Sequence, residues 1–231
     1  MKQLTGLVLI ILAAGLFSCD NLKQESVKLE TELDSVSYAF GVYFGNQLKM
    51  GENIDSINAE AIAAAVNDVY GGADLKVQEE EIGNVIRAYL TRAAETAGAS
   101  QMEKSTSFLE DNKTKEGVKV TESGLQYEVL QEGNGATPDA NDMVTVHYRG
   151  TLTDGTVFDS SYDRGEPATF ATNRVIPGWQ EALQMMQVGS KWVVYIPPQL
   201  GYGTNPPPNS EIKPNDVLIF EMELLEVQPQ E

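Results

Sequence analysis

The sequence predicts an α+β protein: an all-helical N-terminal region with a long connecting helix, then an antiparallel β-sheet wrapped on a short helix. Apolar residues recur at helical spacing from Leu33 to about Asn112, and from Gly117 onwards short runs alternate between apolar and polar residues. A single helical pattern interrupts those runs. Many strands with one helix are typical of a sheet that packs one face on that helix.

The N-terminal region contains three predicted helices. The first has apolar residues at helical spacing, namely Val36, Phe40, Tyr43 and Phe44. The second covers residues 59 to 70 and ends at Gly71-Gly72. The third has an apolar stripe that starts at Ile82, and the pattern predicts one helix from Val77 to Asn112, which would span roughly 54 Å at about 1.5 Å per residue. Whether this helix is continuous through Gly98 stays open, because a helical glycine costs on the order of 1 kcal/mol relative to alanine and a bend or fraying there is compatible with the sequence.

These three helices carry too little apolar surface for a core of their own. We therefore expect their exposed stripes to pack on a second copy, which makes residues 33–112 the interface of a homodimer. The alternative is a small monomeric helical cap.

The strand pattern begins after Gly117. Leu125, Tyr127 and Val129 alternate with polar residues, and so do Val144, Val146 and Tyr148; residues 191–196 and 217–225 are further strand-like runs. The helical segment between them has Pro177 in its first turn and an apolar face of Trp179, Ala182, Leu183 and Met186. Gly189 is its expected end.

Composition removes several classes of function. The chain has 231 residues, of which 42% are apolar, and its 34 acidic and 16 basic residues give a net charge of -18. Nucleic acid is excluded as the main partner, because its recognition depends on Lys and Arg that neutralise phosphates. One Cys and one His exclude internal disulfides and zinc sites of several thiolates or two histidines. We expect no metal and no cofactor, although sites built from carboxylates alone stay open.

The N-terminus resembles an export signal. Met1-Lys2 precedes an apolar stretch from Leu4 to Phe17, which is too short for a membrane span of about 20 residues. Leu16-Phe17-Ser18-Cys19 resembles the lipobox of bacterial lipoproteins, in which the cysteine is lipidated and becomes the new N-terminus. We therefore expect a signal peptide at 1–18, a lipid on Cys19 and a flexible tether at 19–32. The alternative is an ordinary secretory signal with an accidental cysteine.

This signal predicts an exported lipoprotein of a bacterial cell envelope. We expect it to face the periplasm and to be anchored in a membrane through the lipid on Cys19, with the outer membrane favoured over the inner.

Nucleophilic catalysis lacks its usual residues in this chain. His147 lies on the opposite face of its strand from Val146 and Tyr148, which favours a structural or exposed histidine. What the second region does contain is a set of aromatic and branched residues near turns: Tyr148, Phe158, Phe170, Val175, Ile176, Trp179, Tyr202 and Phe220. Such a set can form either a core or a pocket. Asp159, directly after Phe158, is typical of a polar anchor in an apolar pocket.

Five motifs carry a resemblance to a known family. They are Val146-His147-Tyr148, the run from Asp154 to Ser161, Val175-Ile176-Pro177-Gly178-Trp179, Gly201-Tyr202-Gly203 and Leu218-Ile219-Phe220. In this order and spacing they resemble the FKBP-type peptidyl-prolyl isomerases over nearly all of residues 117–227. The segment from Leu33 to Gly41, with the long third helix, resembles the dimerisation domain of the two-domain secreted branch, the macrophage infectivity potentiator type.

The resemblance implies an FKBP-like isomerase domain at 117–231, a helical dimerisation domain at 33–116, and proline-containing unfolded or partly folded proteins as substrates. Its catalytic residues would be Tyr148, Phe158, Asp159, Ile176, Trp179, Tyr202 and Phe220, and its further substrate contacts Val175, Phe170 and Ile212.

The implied roles differ. Trp179 would be the floor under the proline, and Asp159 a polar wall. The Ile176 N–H and the Tyr202 hydroxyl would donate hydrogen bonds to substrate carbonyls.

Two departures from small members of the family concern ligand selectivity. Ala168 occupies an aromatic wall position, and the loop from Thr204 to Glu211 lacks an aromatic residue or histidine. Macrolide binding therefore stays open. A second function also stays open: a chaperone whose helical dimer forms a cleft for unfolded chains, with little isomerase turnover.

Overall fold

The computed structural model describes residues 27–50, 54 and 56–230. The predicted signal peptide, Cys19 and the first part of the tether lie outside the described residues. Within the described residues the chain forms five α-helices and seven β-strands, and the α+β prediction is confirmed. No helix among them is long and apolar enough to cross a membrane.

Helix α1 (Glu32–Met50) forms one compact unit, and the elements from α2 onwards form the other. The first turn of α1 is closed by a reciprocal cap, because the Asp34 N–H donates to Thr31 Oγ1 (3.0 Å) and the Thr31 N–H donates to Asp34 Oδ2 (2.8 Å). No residue of α1 is buried. Its predicted apolar stripe is therefore exposed, and Phe40 and Tyr43 are 69% and 66% accessible.

Helix α2 (Ala59–Gly71) begins at Asn58, whose side chain accepts from the Ala61 N–H, and ends at Gly72 with φ of 66°. Helix α3 (Glu79–Asn112) follows and has 34 residues. The sequence left the continuity of this helix at Gly98 open, and α3 continues through it. The reason is tertiary: beyond Gly98 the helix gains contacts with the sheet region, and Ser105 and Asn112 are buried there.

The sheet is antiparallel and contains all the strands of the described residues. They are β1 (Val118–Val120), β2 (Gln126–Gln131), β3 (Met143–Thr151), β4 (Val157–Ser160), β5 (Ala168–Ala171), β6 (Lys191–Ile196) and β7 (Leu218–Gln228). Their order is β1-β2-β6-β7-β3-β4, with β5 paired to β3. The alternation patterns predicted β2, β3, β6 and β7. They missed β1, β4 and β5, which have only three or four residues each.

Two helices follow within the sheet region: α4 (Ser161–Arg164) and α5 (Pro177–Leu183). Trp179, Ala182 and Leu183 of α5 are buried in the core against the inner side chains of the strands. Gly178 permits this contact, since a Cβ there would lie 2.6 Å from Ile196 Cγ2 of β6.

Helix α5 ends earlier than expected. The sequence placed its end at Gly189, whereas the helix stops at Leu183 and a further turn carries Met186 into the core. The Met186 N–H donates to the carbonyls of both Ala182 and Leu183, which tightens that turn. Gly189, with φ of 89°, instead forms the turn that leads into β6.

His147 has a structural environment, as its strand position predicts. Its ring stacks on Tyr162 at 4.6 Å, and its Nδ1 lies 3.0 Å from Ser161 Oγ. The Ser161 hydroxyl also accepts from the Tyr148 N–H at 2.7 Å, so this residue of α4 fixes the backbone of β3.

Candidate active site

A cavity of about 580 Å³ opens between α5, the inner face of the sheet and the loop before β7. All ten residues that the sequence predicted for a substrate pocket line it: Tyr148, Phe158, Asp159, Phe170, Val175, Ile176, Trp179, Tyr202, Ile212 and Phe220. Three further lining residues were not predicted, namely Arg174, Pro207 and Ser210. Arg174 directly precedes the Val175-Ile176 motif, and Pro207 and Ser210 lie in the loop from Thr204 to Glu211, but none of the three is itself part of a motif.

Trp179 forms the centre of an aromatic cluster at this cavity. The rings of Tyr148, Phe170 and Phe220 meet its indole edge-on, with centroid distances of 5.1, 5.6 and 5.1 Å and interplanar angles of 84–88°. Phe158 in turn meets Phe220 edge-on at 5.3 Å. Edge-to-face contacts of this kind are favourable beyond the area they bury. The indole of Trp179 therefore forms the bottom of the cavity, and the surrounding aromatic rings form its walls.

Of the two apolar residues that β5 directs towards the core, Phe170 lines the cavity and Ala168 does not. Both residues lie on β5, where Ala168 pairs with Val146 and Phe170 pairs with Val144 of β3. Ala168 packs on the core but does not line the cavity.

Gly150 of β3 lets two of the walls come together. A Cβ at this position would lie 2.6 Å from two ring carbons of Phe158 and 2.9 Å from Phe220 Cε1. Gly150 pairs with Phe220 on β7 and with Asp159 on β4. The absence of a side chain at Gly150 thus allows both phenyl rings to pack directly against the backbone of β3.

The polar side of the cavity is a closed network of three residues. The Tyr148 hydroxyl donates to Asp159 Oδ2 (2.6 Å), and Arg164 donates both to Asp159 Oδ1 (2.5 Å) and to the Tyr148 oxygen (2.8 Å). Burial, and then the bond to Asp159, raises the pKa of Tyr148 above its ordinary value. The hydroxyl therefore stays protonated at neutral pH and holds the carboxylate in place.

Arg164 was missed by sequence reasoning. It lies five residues after Asp159 and is brought back to it by the single turn of α4, which Ser160 caps by accepting from the Asp163 N–H. The sequence could have indicated Arg164 only as a basic residue that closely follows the Phe158-Asp159 pair. A four-residue helix has no periodicity from which its position could be predicted.

Several hydrogen-bond donors at the cavity have no acceptor within the described part of the chain. Among them are the backbone N–H of Ile176, the residue just before α5, the hydroxyl of Tyr202 and the buried Nε1–H of Trp179. Burial, with a smaller effect of the Asp159 carboxylate, raises the pKa of Tyr202. Its hydroxyl is thus a neutral donor throughout the physiological pH range.

The comparisons with known proteins agree with this geometry. The family model described as FKBP-type peptidyl-prolyl cis-trans isomerase matches residues 135–225, and the model described as the domain amino terminal to that isomerase matches residues 33–129. "Peptidyl-prolyl cis-trans isomerase Mip" of Coxiella burnetii (strain RSA 493 / Nine Mile phase I) is 39% identical over 229 residues, which cover 96% of this chain and 98% of the relative. The chain belongs to the FKBP-type peptidyl-prolyl cis-trans isomerases.

Two further comparisons cover most of this isomerase. "Outer membrane protein MIP" of Legionella longbeachae is 41% identical over 211 residues, 88% of this chain and 89% of the relative. The crystal structure of FkpA from Escherichia coli matches with a TM-score of 0.71 and 34% identity, and the match covers 87% of this chain and 99% of that one. The predicted enzyme class is confirmed, as is the predicted order of helical and sheet regions.

A substitution at Gly150 tests the packing of the walls. We expect Gly150→Ala to push the Phe158 and Phe220 rings apart, to destabilise the sheet region by about 1–3 kcal/mol, and to raise KM for a proline peptide. Chemical denaturation and steady-state peptide isomerisation measure the two effects. The control is Gly83→Ala in α3, where a Cβ meets no atom within 4 Å and KM should not change. An unaltered KM in Gly150→Ala would contradict the described wall.

Proposed function

We propose that this isomerase assists the folding of exported proteins in a bacterial cell envelope, by moving the X-Pro imide from water into the cavity above Trp179. The observation that carries the proposal is the cavity itself, with an indole bottom, aromatic sides and one fixed polar wall. We assign the catalytic and binding roles to the ten lining residues that the sequence predicted.

The physical basis is the polarity of the imide. Rotation about a peptide bond has a barrier of about 18–20 kcal/mol, and X-Pro isomerisation takes tens to hundreds of seconds. The planar imide is more polar than its twisted form, because twisting ends the resonance between nitrogen and carbonyl. An apolar cavity therefore destabilises the planar ground state more than the twisted transition state, and this difference lowers the barrier.

The polar groups then position the substrate. In the proposed complex the Ile176 N–H and the Tyr202 hydroxyl donate to substrate carbonyls and hold the flanking chain while the imide turns. The Asp159 carboxylate, held by Tyr148 and Arg164, faces the turning amide as a fixed polar wall.

A peptide isomerisation assay tests this mechanism. We expect Phe158→Ala combined with Asp159→Ala to lower kcat/KM by on the order of tenfold to a hundredfold, because one wall and the carboxylate are lost together. The matched control is Leu130→Ala with Glu132→Ala, two exposed residues that do not line the cavity. Activity in the first variant equal to that of the control would overturn the proposed mechanism.

We further propose that residues 33–116 form a dimerisation domain, that 117–231 form the isomerase domain, and that the chain is a homodimer through residues 33–112. The apolar side chains of α1 are exposed, as are Ile82, Val85, Ile86 and Tyr89 of α3. So many exposed apolar residues are typical of an interaction surface. The expected result in analytical ultracentrifugation is a dimer that Phe40→Glu converts to monomers, while a dimer that survives both Phe40→Glu and Ile86→Glu contradicts this interface.

The same surface supports the alternative function, a chaperone that binds unfolded chains in the cleft of the dimer. A measurement of aggregation of an unfolded client separates the two. Suppression that survives Phe158→Ala with Asp159→Ala but disappears in the monomeric variant would favour the chaperone. Suppression of aggregation that is lost together with isomerase activity in the Phe158→Ala, Asp159→Ala variant would favour the isomerase function.

The envelope location rests on the sequence at Cys19 and on the printed name of the Legionella relative, an outer membrane protein. We propose a lipid on Cys19 that anchors the protein in a membrane facing the periplasm, with the outer membrane favoured. Mass spectrometry of the protein extracted from bacterial membranes should find the N-terminal peptide starting at a lipidated Cys19. Cys19→Ala should move the protein to the soluble fraction, and membrane retention of that variant would contradict the anchor.

A further inference from the structure

The second half of α3 is hydrogen-bonded to the segment just before β7. Ser105, only 2% accessible, donates from its hydroxyl to the Asn215 carbonyl at 2.6 Å. The Asn215 side-chain amide donates to the Gly98 carbonyl at 2.9 Å, and the Gln101 amide donates to Asp216 Oδ1 at 2.7 Å. Positions 98, 101 and 105 lie on one face of the helix, so a single stripe of α3 makes all three bonds.

That segment is in turn bonded to both ends of the loop that borders the cavity. The Asn215 N–H donates to the Gly203 carbonyl at 2.7 Å, directly after Tyr202. The Lys213 N–H donates to Asp216 Oδ2 at 2.7 Å, directly after Ile212. Tyr202 and Ile212 both line the cavity. Hydrogen bonds through Asn215 and Asp216 therefore connect α3 to Gly203 and Lys213, the immediate neighbours of two pocket residues.

The loop between these two ends has little support of its own. Residues 204–211 contain no helix or strand, and the backbone hydrogen bonds recorded there are local turns, from the Asn205 N–H to the Tyr202 carbonyl and from the Ser210 N–H to the Pro207 carbonyl. Its position relative to Trp179 is therefore set by its two ends. The first end is held by Asn215 and by the bond from the Gly203 N–H to the Pro198 carbonyl (3.0 Å), and the second end is held by Asp216. Residues 215 and 216 are in turn bonded to α3.

The backbone at Asn215 has an uncommon conformation, with φ of 67°. Asparagine is one of the few residues that adopts this left-handed conformation readily, but it still needs surrounding contacts to keep it there. Asn215 uses its N–H, its carbonyl and its side-chain amide in three bonds, two of which go to α3. The neighbouring Asp216 carboxylate is nearly buried, so it too needs the donors that surround it.

We propose that Gln101 and Ser105 of α3 are positioning residues for the isomerase reaction: Ser105 fixes the Tyr202 hydroxyl over the cavity through Asn215, and Gln101 fixes Ile212 through Asp216. The inference rests on the role of Tyr202 in the proposed function. It makes the connecting helix part of the isomerase machinery as well as a spacer. A movement of α3 away from residues 215–216 would release the cavity loop and weaken substrate binding.

The test uses the full chain in detergent and one isosteric change. Gln101→Glu replaces the donor that faces Asp216 with an acceptor, and we expect it to lower kcat/KM roughly fivefold, mostly through KM. Adding Asp216→Asn restores a hydrogen bond with donor and acceptor exchanged, since the new amide can donate to the carboxylate introduced at position 101 while its oxygen still accepts from Lys213. The double variant should recover most of the activity. Glu103→Ala with Ser107→Ala, on the exposed side of the same helix, should change nothing.

A cycle with Tyr202→Phe separates positioning from mere stability. Ser105→Ala removes the donor to the Asn215 carbonyl and should lower kcat/KM roughly fivefold in the unaltered chain. If α3 acts through the Tyr202 hydroxyl, the same change should lower kcat/KM less than about twofold in the Tyr202→Phe background. An equal loss in both backgrounds, or no loss in either, overturns the proposal, and so does a double variant that stays as inactive as Gln101→Glu.

Failure of the role proposed for Tyr202 can be told apart from failure of the inference about α3. A Tyr202→Phe chain that is as active as the unaltered one would remove the hydroxyl from the mechanism, and the inference would fall with it.

Discussion

The shape of the candidate active-site cavity depends on the packing of one side chain, the indole of Trp179. Trp179 can form the bottom of the cavity because α5 lies close against β6, and this contact requires Gly178 to have no side chain facing Ile196. Three aromatic rings then stand edge-on around the indole, and Gly150 lets two phenyl rings reach the backbone of β3. The shape of the cavity is thus fixed by close packing, in which small changes of volume are felt.

This constraint also explains the chemistry that the chain lacks. A reaction that turns a bond without breaking it needs a change of environment and a few fixed donors, so neither a nucleophile nor a metal is required. The acidic composition and the near-absence of Cys and His are compatible with such an enzyme. The polar side chains of Tyr148, Asp159 and Arg164 hold one another in place. The Tyr202 hydroxyl and the Ile176 N–H have no acceptor in the described part of the chain, which is compatible with the substrate contacts proposed for them.

The sequence predicted those helices and strands that are long enough to show a periodic pattern of apolar residues. The stripes of α1 and α3 and the alternation in β3 placed most of the elements, whereas the ten cavity residues followed from the resemblance of the motifs to FKBP-type isomerases. Short elements such as β1, β4 and α4 were not predicted, because three or four residues show no periodic pattern. Arg164, which lies in α4, was missed for the same reason. The continuity of α3 through Gly98 could not be predicted, because helix propensity is local. The continuous helix is supported by Asn215, 117 residues away.

The central claim is that catalysis comes from turning the imide in a water-poor cavity, with no proton transferred in the rate-limiting step. The solvent deuterium isotope effect on kcat/KM for a proline peptide tests it most directly. Rotation without proton transfer predicts a ratio of rates in H₂O and D₂O close to one. A ratio of about two or more would show that a proton is transferred in the transition state. The mechanism would then be general acid–base catalysis instead of rotation in an apolar cavity.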